Sequence, residues 1–329
     1  MELSAAIPLP WQAEAWRQLV ESRRQGRLSH ALLLGGPEGL GKSLLAEALA
    51  RTLLCREPTE SGHACGGCRD CRLFEAGTHP DFHRIAPEEG SSQIRIEAIR
   101  GLLDDSTLVV GEARARIFLI DPAHAMGMAA ANALLKTLEE PPAGIHLLLV
   151  SSHPERLPVT IRSRCRQLNF RVPPAGEAAA WLRQAAGLDD ERARLLLELA
   201  GGGPVKVLEW LDSGTDALHD RCLEGFLDVA RGGAEPSAVA EAWLKEADLA
   251  FLLGLLGTWL TALVRAAAAA ERAGPLGVRL AGAVSVPDPG NLYRLLDKLF
   301  ESQRRLSHNP NPQLVLEALL VEWRRITGR

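Results

Sequence analysis

Between about residues 10 and 171, short apolar runs alternate with longer stretches of helical spacing. The runs at 31–35, 82–86, 117–121, 146–151 and 167–170 have strand length. Helical spacing fits 10–25, 42–54, 94–103, 126–139 and, more weakly, 158–163. Strand-length runs separated by helices predict a parallel sheet with crossover helices. Pro173-Pro174 breaks this rhythm, and helical patterns follow at 177–186 and 190–199, ending at Gly201-Gly202-Gly203-Pro204. Beyond about residue 213 every apolar pattern is helical, and the alanine run 266–270 is a strong local helix former. The expected architecture is therefore an α/β domain over 1–171, a small helical domain over 172–212 and a helical C-terminal domain over 213–329.

Composition sharpens this only slightly. A chain of 329 residues exceeds one core of usual size, so more than one domain is expected. Only 5% of residues are aromatic, which leaves Leu, Ala and Val to fill the cores and favours helices. The formal net charge of -4 gives no global basic field that would draw in nucleic acid. Met1-Glu2-Leu3-Ser4 does not open the basic-then-apolar pattern of a signal peptide. The most apolar run, 249–264, falls short of the roughly 20 residues of a membrane span and reads as a buried helix. A cytoplasmic chain without membrane contact is expected.

The first chemical signal is Gly36-Pro37-Glu38-Gly39-Leu40-Gly41-Lys42-Ser43. It matches G-x-x-x-x-G-K-[ST], with an expected strand before it and an expected helix after it. The glycines let the backbone wrap phosphates, and amides at the helix start point at the anion. Lys42 would reach the β and γ phosphates and Ser43 would hold Mg²⁺. A second carboxylate, Asp121, ends the apolar run 117–121 and is placed to help coordinate that metal. The next position is Pro122, which can neither accept a proton nor orient water. Binding of ATP or ADP with little turnover is the expectation.

The second signal is Cys65-Gly66-Gly67-Cys68-Arg69-Asp70-Cys71, with Cys55 ten positions upstream. Cys55, Cys65, Cys68 and Cys71 can supply four thiolates to one tetrahedral Zn²⁺. Disulfides, a redox pair and an iron–sulfur cluster use the same residue type, and zinc is the expected occupant. A closed shell of four cysteines leaves no open position, so the site reads as structural. His63 and His79 flank it and are expected at the surface, while Cys165 and Cys222 are expected as buried thiols.

Several further motifs carry a resemblance. Leu28-Ser29-His30-Ala31 leading into the P-loop, the four-cysteine insertion, residues 96–100, the stretch from Asn132 to Pro142, and Leu157 to Cys165 with its Ser163-Arg164-Cys165 resemble the clamp-loader ATPase subunits of bacterial DNA polymerase III, an AAA+ family. The resemblance implies an AAA+ domain, a helical lid and a helical collar. It implies partners too: tau/gamma motor subunits and delta in a hetero-pentameric ring, with the sliding clamp and primed DNA reached through the complex. It also implies a role for Arg164 as an arginine finger acting in trans on ATP held by a neighbour. Two features depart from the motor subunits. Asp121 is followed by Pro122, and the turn Gly202-Gly203-Pro204-Val205-Lys206 lacks their sensing arginine. The resemblance thus implies the stator-like member of the ring, with little or no ATPase of its own. An autonomous motor ATPase and a nucleotide-free scaffold are the competing readings. Arg95 and Arg100 read as a solvated helix face and not as DNA ligands.

Overall fold

The computed structural model describes residues 7–88, 90–106, 115–269 and 273–328. They divide into two compact units, Met1–Pro173 and Pro174–Arg329.

In the first unit a short 3₁₀ turn (Pro10–Gln12) leads into α1 (Ala13–Arg24). The chain continues through β1 (Ala31–Gly35), α2 (Lys42–Leu54), α3 (Arg69–Glu75), β2 (Phe82–Ile85), α4 (Ile96–Ser106) and β3 (Arg116–Ile120). It ends with α5 (Met128–Glu139), β4 (Ile145–Ser151), α6 (Val159–Arg162) and β5 (Arg166–Asn169). The strands form one five-stranded sheet in the order β2-β3-β4-β1-β5, and every pairing is parallel. Registers such as Leu32 with Leu148 and Phe118 with Leu147 bring the C-terminal ends of β1, β3 and β4 to one edge. Strands covered on both faces need apolar side chains on both, so the central strands read as unbroken runs. All five residues of β1 are buried, whereas each of the edge strands β2 and β5 fully buries only one residue, Ile85 and Leu168. Leu33, Phe118, Ile120, Leu134, Leu147, Leu149 and Ile161 form part of one core cluster.

Two boundaries differ from the sequence expectation for one reason. Ile94 and Met126 form an isolated parallel bridge, so α4 begins at Ile96 and α5 at Met128. The small helix α3 was not expected. The Cys68 thiol caps it by accepting from the Cys71 N–H.

The second unit is helical throughout, with no strand among the described residues. It comprises α7 (Ala175–Ala186), α8 (Asp190–Leu199), α9 (Pro204–Ser213), α10 (Thr215–Arg231), α11 (Pro236–Glu246), α12 (Leu249–Ala268), α13 (Pro275–Ala283), α14 (Pro289–Arg304) and α15 (Pro312–Thr327). The expected boundary near 213 falls at the left-handed Gly214 between α9 and α10, and both helices belong to the same compact unit. α12 is long and apolar enough to cross a membrane, yet its Leu252, Leu253, Leu256, Trp259 and Leu263 are buried within the bundle. The run 266–270 closes this helix, and Ala270 lies outside the described residues. Phe226 stacks on Trp323 at 4.2 Å between ring centres, and the Trp323 indole N–H donates to the Phe226 carbonyl at 2.9 Å. Stacked, hydrogen-bonded aromatics of this kind fix a core made mostly of leucine.

Candidate functional site

The P-loop leaves the end of β1 through Gly36, whose φ of 137° and close surroundings admit no side chain. A Cβ there would lie 2.2 Å from the Phe170 carbonyl oxygen. Gly39 and Gly41 both have φ of 72°, and Gly41 is the cap from which α2 starts. Left-handed glycines bend the chain into the start of the helix, whose first amides lack intrahelical acceptors and can receive an anion. Lys42 is buried and donates to the Pro37 carbonyl at 2.5 Å, with the Ser152 hydroxyl at 3.5 Å. Burial pushes its ammonium down to about 8, against the upward pull of Asp121 and Glu38. Behind the loop, the fully buried Gln12 donates to the carbonyls of Leu40 and Gly41, each at 2.8 Å. Trp11 adds a bond to the Leu40 carbonyl at 3.0 Å. These clamps were not visible in the sequence, because a glutamine 28 residues from its partner carries no local signature.

At the end of β3, Asp121 lies near this lysine but has another cation as its partner. Arg84, on β2, donates to Asp121 Oδ2 at 3.2 Å and also pairs with Glu47 of α2. The two halves of the expected site therefore fare differently. The glycine cradle, the helix start and Lys42 fit a nucleotide's phosphates. One oxygen of the carboxylate expected to help hold Mg²⁺ accepts from a guanidinium, which competes with the metal at that position. His124, three positions on, shares a hydrogen bond with the Ser151 hydroxyl at 3.1 Å and meets the His153 ring edge-on at 5.2 Å. Burial, then the neighbouring His153 and Arg156, hold His124 below the ordinary histidine range.

In Ser163-Arg164-Cys165 the neighbours face opposite ways. Cys165 is buried in the sheet core, and burial pushes its thiol up to about 12. The Arg164 side chain is 36% exposed. It pairs with Glu139 Oε1 at 2.6 Å and donates to the Thr160 carbonyl at 3.1 Å. Cys222 is also buried, as expected.

Cys55, Cys65, Cys68 and Cys71 come together, their sulfurs all within 4.8 Å of one another. None forms a disulfide. A tetrahedral zinc with sulfurs at about 2.3 Å places them about 3.8 Å apart, and Cys65 Sγ lies 3.9 Å from Cys71 Sγ. Backbone N–H groups of Cys65, Cys68 and Cys71 donate to the sulfurs of Cys55, Cys65 and Cys68 at 3.2, 3.3 and 3.4 Å. Such bonds stabilise thiolates, so the donor set fits a structural zinc. Burial pushes Cys71 up to about 12 and raises Cys55. Cys68 feels the same burial, but N–H groups of Arg56 and Cys71 and the neighbouring thiols outweigh it and bring it to about 6.

The insertion is also fastened without metal. A Cβ on Gly62 would lie 2.2 Å from Val20 of α1, the Trp16 indole donates to the Ser61 carbonyl at 3.3 Å, and His63 stacks on Trp16 at 5.1 Å. His79 departs from its expected surface position. It is buried where the module meets β2, its Nδ1 accepting from the Asp81 N–H at 3.1 Å and its Nε2 lying 3.7 Å from Asp70.

A family model described as DNA polymerase III, delta subunit, matches residues 11–174. The DNA polymerase III subunit delta' of Pseudomonas aeruginosa is 36% identical over 329 positions, covering 97% of this chain and 98% of that one. This chain belongs to the DNA polymerase III delta' family. The delta' subunit of Escherichia coli is 40% identical over 196 residues, 59% of this chain and 58% of its own length. The tau subunit of the same organism is also 40% identical, but over 147 residues, 45% of this chain and 22% of that one. Among solved structures, a DNA polymerase III gamma subunit-related protein of Thermotoga maritima shares the fold, with a TM-score of 0.55 at 18% identity over 96% of this chain and 99% of its own. The α/β unit is thus the P-loop fold of clamp-loader proteins, and the delta' family places the chain in the clamp-loader complex of bacterial DNA replication.

Proposed function

We propose that this delta' chain is the stator-like member of a hetero-pentameric ring with tau/gamma and delta subunits, and that it presents Arg164 to ATP held by the adjoining subunit. One observation carries the reading. Cys165 anchors the motif in the core while the Arg164 guanidinium stands at the surface, held by a partly exposed ion pair to Glu139. Pairs of this exposure are worth no more than about 1 kcal/mol, so the guanidinium is released at little cost when a stronger anion arrives. A γ-phosphate developing charge is such an anion, and an arginine fixed beside it stabilises the transferring group.

The chain's own P-loop holds ATP or ADP with little turnover, since Pro122 supplies no group to activate water. Zinc at the four cysteines fixes the insertion after α2. Residues 172–212 act as lid and 213–329 as collar. The protein works in the cytoplasm, where the assembled ring places the sliding clamp on primed DNA.

Reconstitution with tau/gamma and delta tests the central claim. Arg164→Ala is expected to lower ATP turnover of the complex at least severalfold, while gel filtration shows the ring still assembled. An unchanged turnover rate removes the trans-acting role.

A further inference from the structure

We infer that Arg84 stands in for the divalent cation beside Asp121, so that this P-loop takes a nucleoside di- or triphosphate with little dependence on Mg²⁺. The inference rests on the nucleotide-binding reading above and adds the charge chemistry of the site.

The placement follows from the sheet. β2 pairs with β3 in parallel, Arg84 opposite Leu119 and Ile85 opposite Ile120. The Asp121 N–H donates to the Ile85 carbonyl at 2.9 Å, which holds the Asp121 backbone beside the end of β2. From the other side comes α2, where Glu47 lies four residues beyond Ser43, one turn along the same face. The Arg84 fork spans both carboxylates, Nη2 to Asp121 Oδ2 at 3.2 Å and Nη1 to Glu47 Oε1. Each partner is 37 positions from Arg84 in sequence, one on either side.

Charge decides what the arrangement prefers. In P-loop proteins generally, the Ser or Thr of the loop and an aspartate at the end of a neighbouring strand hold the Mg²⁺ that bridges the phosphates. Such a metal needs a carboxylate with free lone pairs and a net negative pocket. Here the Asp121 side chain is only 13% exposed, and the oxygen facing Arg84 already accepts a charge-assisted hydrogen bond. The guanidinium keeps its charge at all accessible pH, so it cannot give way by losing a proton. The Arg84 side chain is 49% exposed, but two carboxylates hold its fork where Arg164 has one, so a divalent ion would have to displace it from both or sit beside it. Without the ion, Arg84 offsets one of the two negative charges that Asp121 and Glu47 place beside the loop, and Lys42 remains the cation at the phosphates. The Asp121 carboxylate then repels the phosphates less, a repulsion that Mg²⁺ ordinarily offsets.

A fluorescent ADP analogue, titrated into the purified full chain in magnesium buffer and in EDTA, tests this directly. The natural chain is expected to bind with apparent affinities within about threefold in the two buffers. Arg84→Ala and Arg84→Gln, each checked for folding by circular dichroism, should both open a Mg²⁺ preference of about tenfold or more. A Mg²⁺ preference of that size in the natural chain, or none in either folded variant, overturns the inference. Absence of binding in both buffers overturns the nucleotide-binding reading together with it. Binding that requires Mg²⁺ overturns the inference alone.

Discussion

Glu139 and Arg164 form a partly exposed pair at the surface. Glu139→Ala is expected to change unfolding free energy by less than about 1 kcal/mol, measured by denaturant titration, because water solvates both partners. His219 is the opposite case. It is buried between Trp210 at 4.4 Å and Phe251 at 5.5 Å, and neither ring nitrogen has a partner among the described residues. Burial, with smaller opposed effects of Asp220, Lys206, Asp216 and Arg192, pushes it from 6.5 to about 4. Between those values the unfolded chain takes up the proton and the folded chain refuses it, so stability falls as pH drops through this window. At pH 4.5 the loss from this one group is about 2 to 3 kcal/mol. His219→Phe should remove most of it, seen as a smaller difference between denaturation midpoints at pH 7 and pH 4.5. At this scale the sequence was readable where chemistry is local. Lys42 and the four cysteines announce themselves by spacing, and the structure brings those cysteines together. Gln12, Arg84 and Glu139 do not, because each gains its role from a partner across the fold.

Helix starts show the same division. The bounds of α2 follow from the P-loop itself, and those of α8 from the Asp189 cap, whose carboxylate accepts from the Arg192 N–H at 2.7 Å. α3 stayed hidden because its cap is a thiol, outside the usual set of hydroxyl, amide and carboxylate caps. Cys68→Ser keeps a capping group but removes one of the four thiols proposed to hold zinc. It is expected to lower zinc content below one per chain by metal analysis and to expose the segment around 55–75 to limited proteolysis. α13 has a cap supplied from a distance, the Glu198 carboxylate of α8 accepting from the Leu276 N–H at 2.8 Å. A Cβ on Gly274, just before that helix, would lie 2.5 Å from the same carboxylate and would push it aside. Glu198→Ala should cost about 1 to 2 kcal/mol in a denaturant titration, since it leaves that amide without its acceptor.

The molecule as a whole was legible in its α/β part because a parallel sheet needs unbroken apolar strands, and these stand out from helical spacing. The helical part was legible in type but not in arrangement, since many packings satisfy the same leucine-rich pattern. Each unit has its own buried core, so residues 1–173 alone are expected to fold and to unfold cooperatively, checked by circular dichroism and thermal denaturation. Within that unit, Gly62 pressed on Val20 has a wider meaning. The insertion is gripped by α1 between Cys55 and Cys65, and the grip is made of carbon contacts and an indole hydrogen bond. If zinc fills the four-cysteine site, its loss is expected to loosen one corner of the subunit and to spare the sheet. Because α1 still holds the segment at residues 61–63, returning metal is expected to restore it in place, without refolding of the chain.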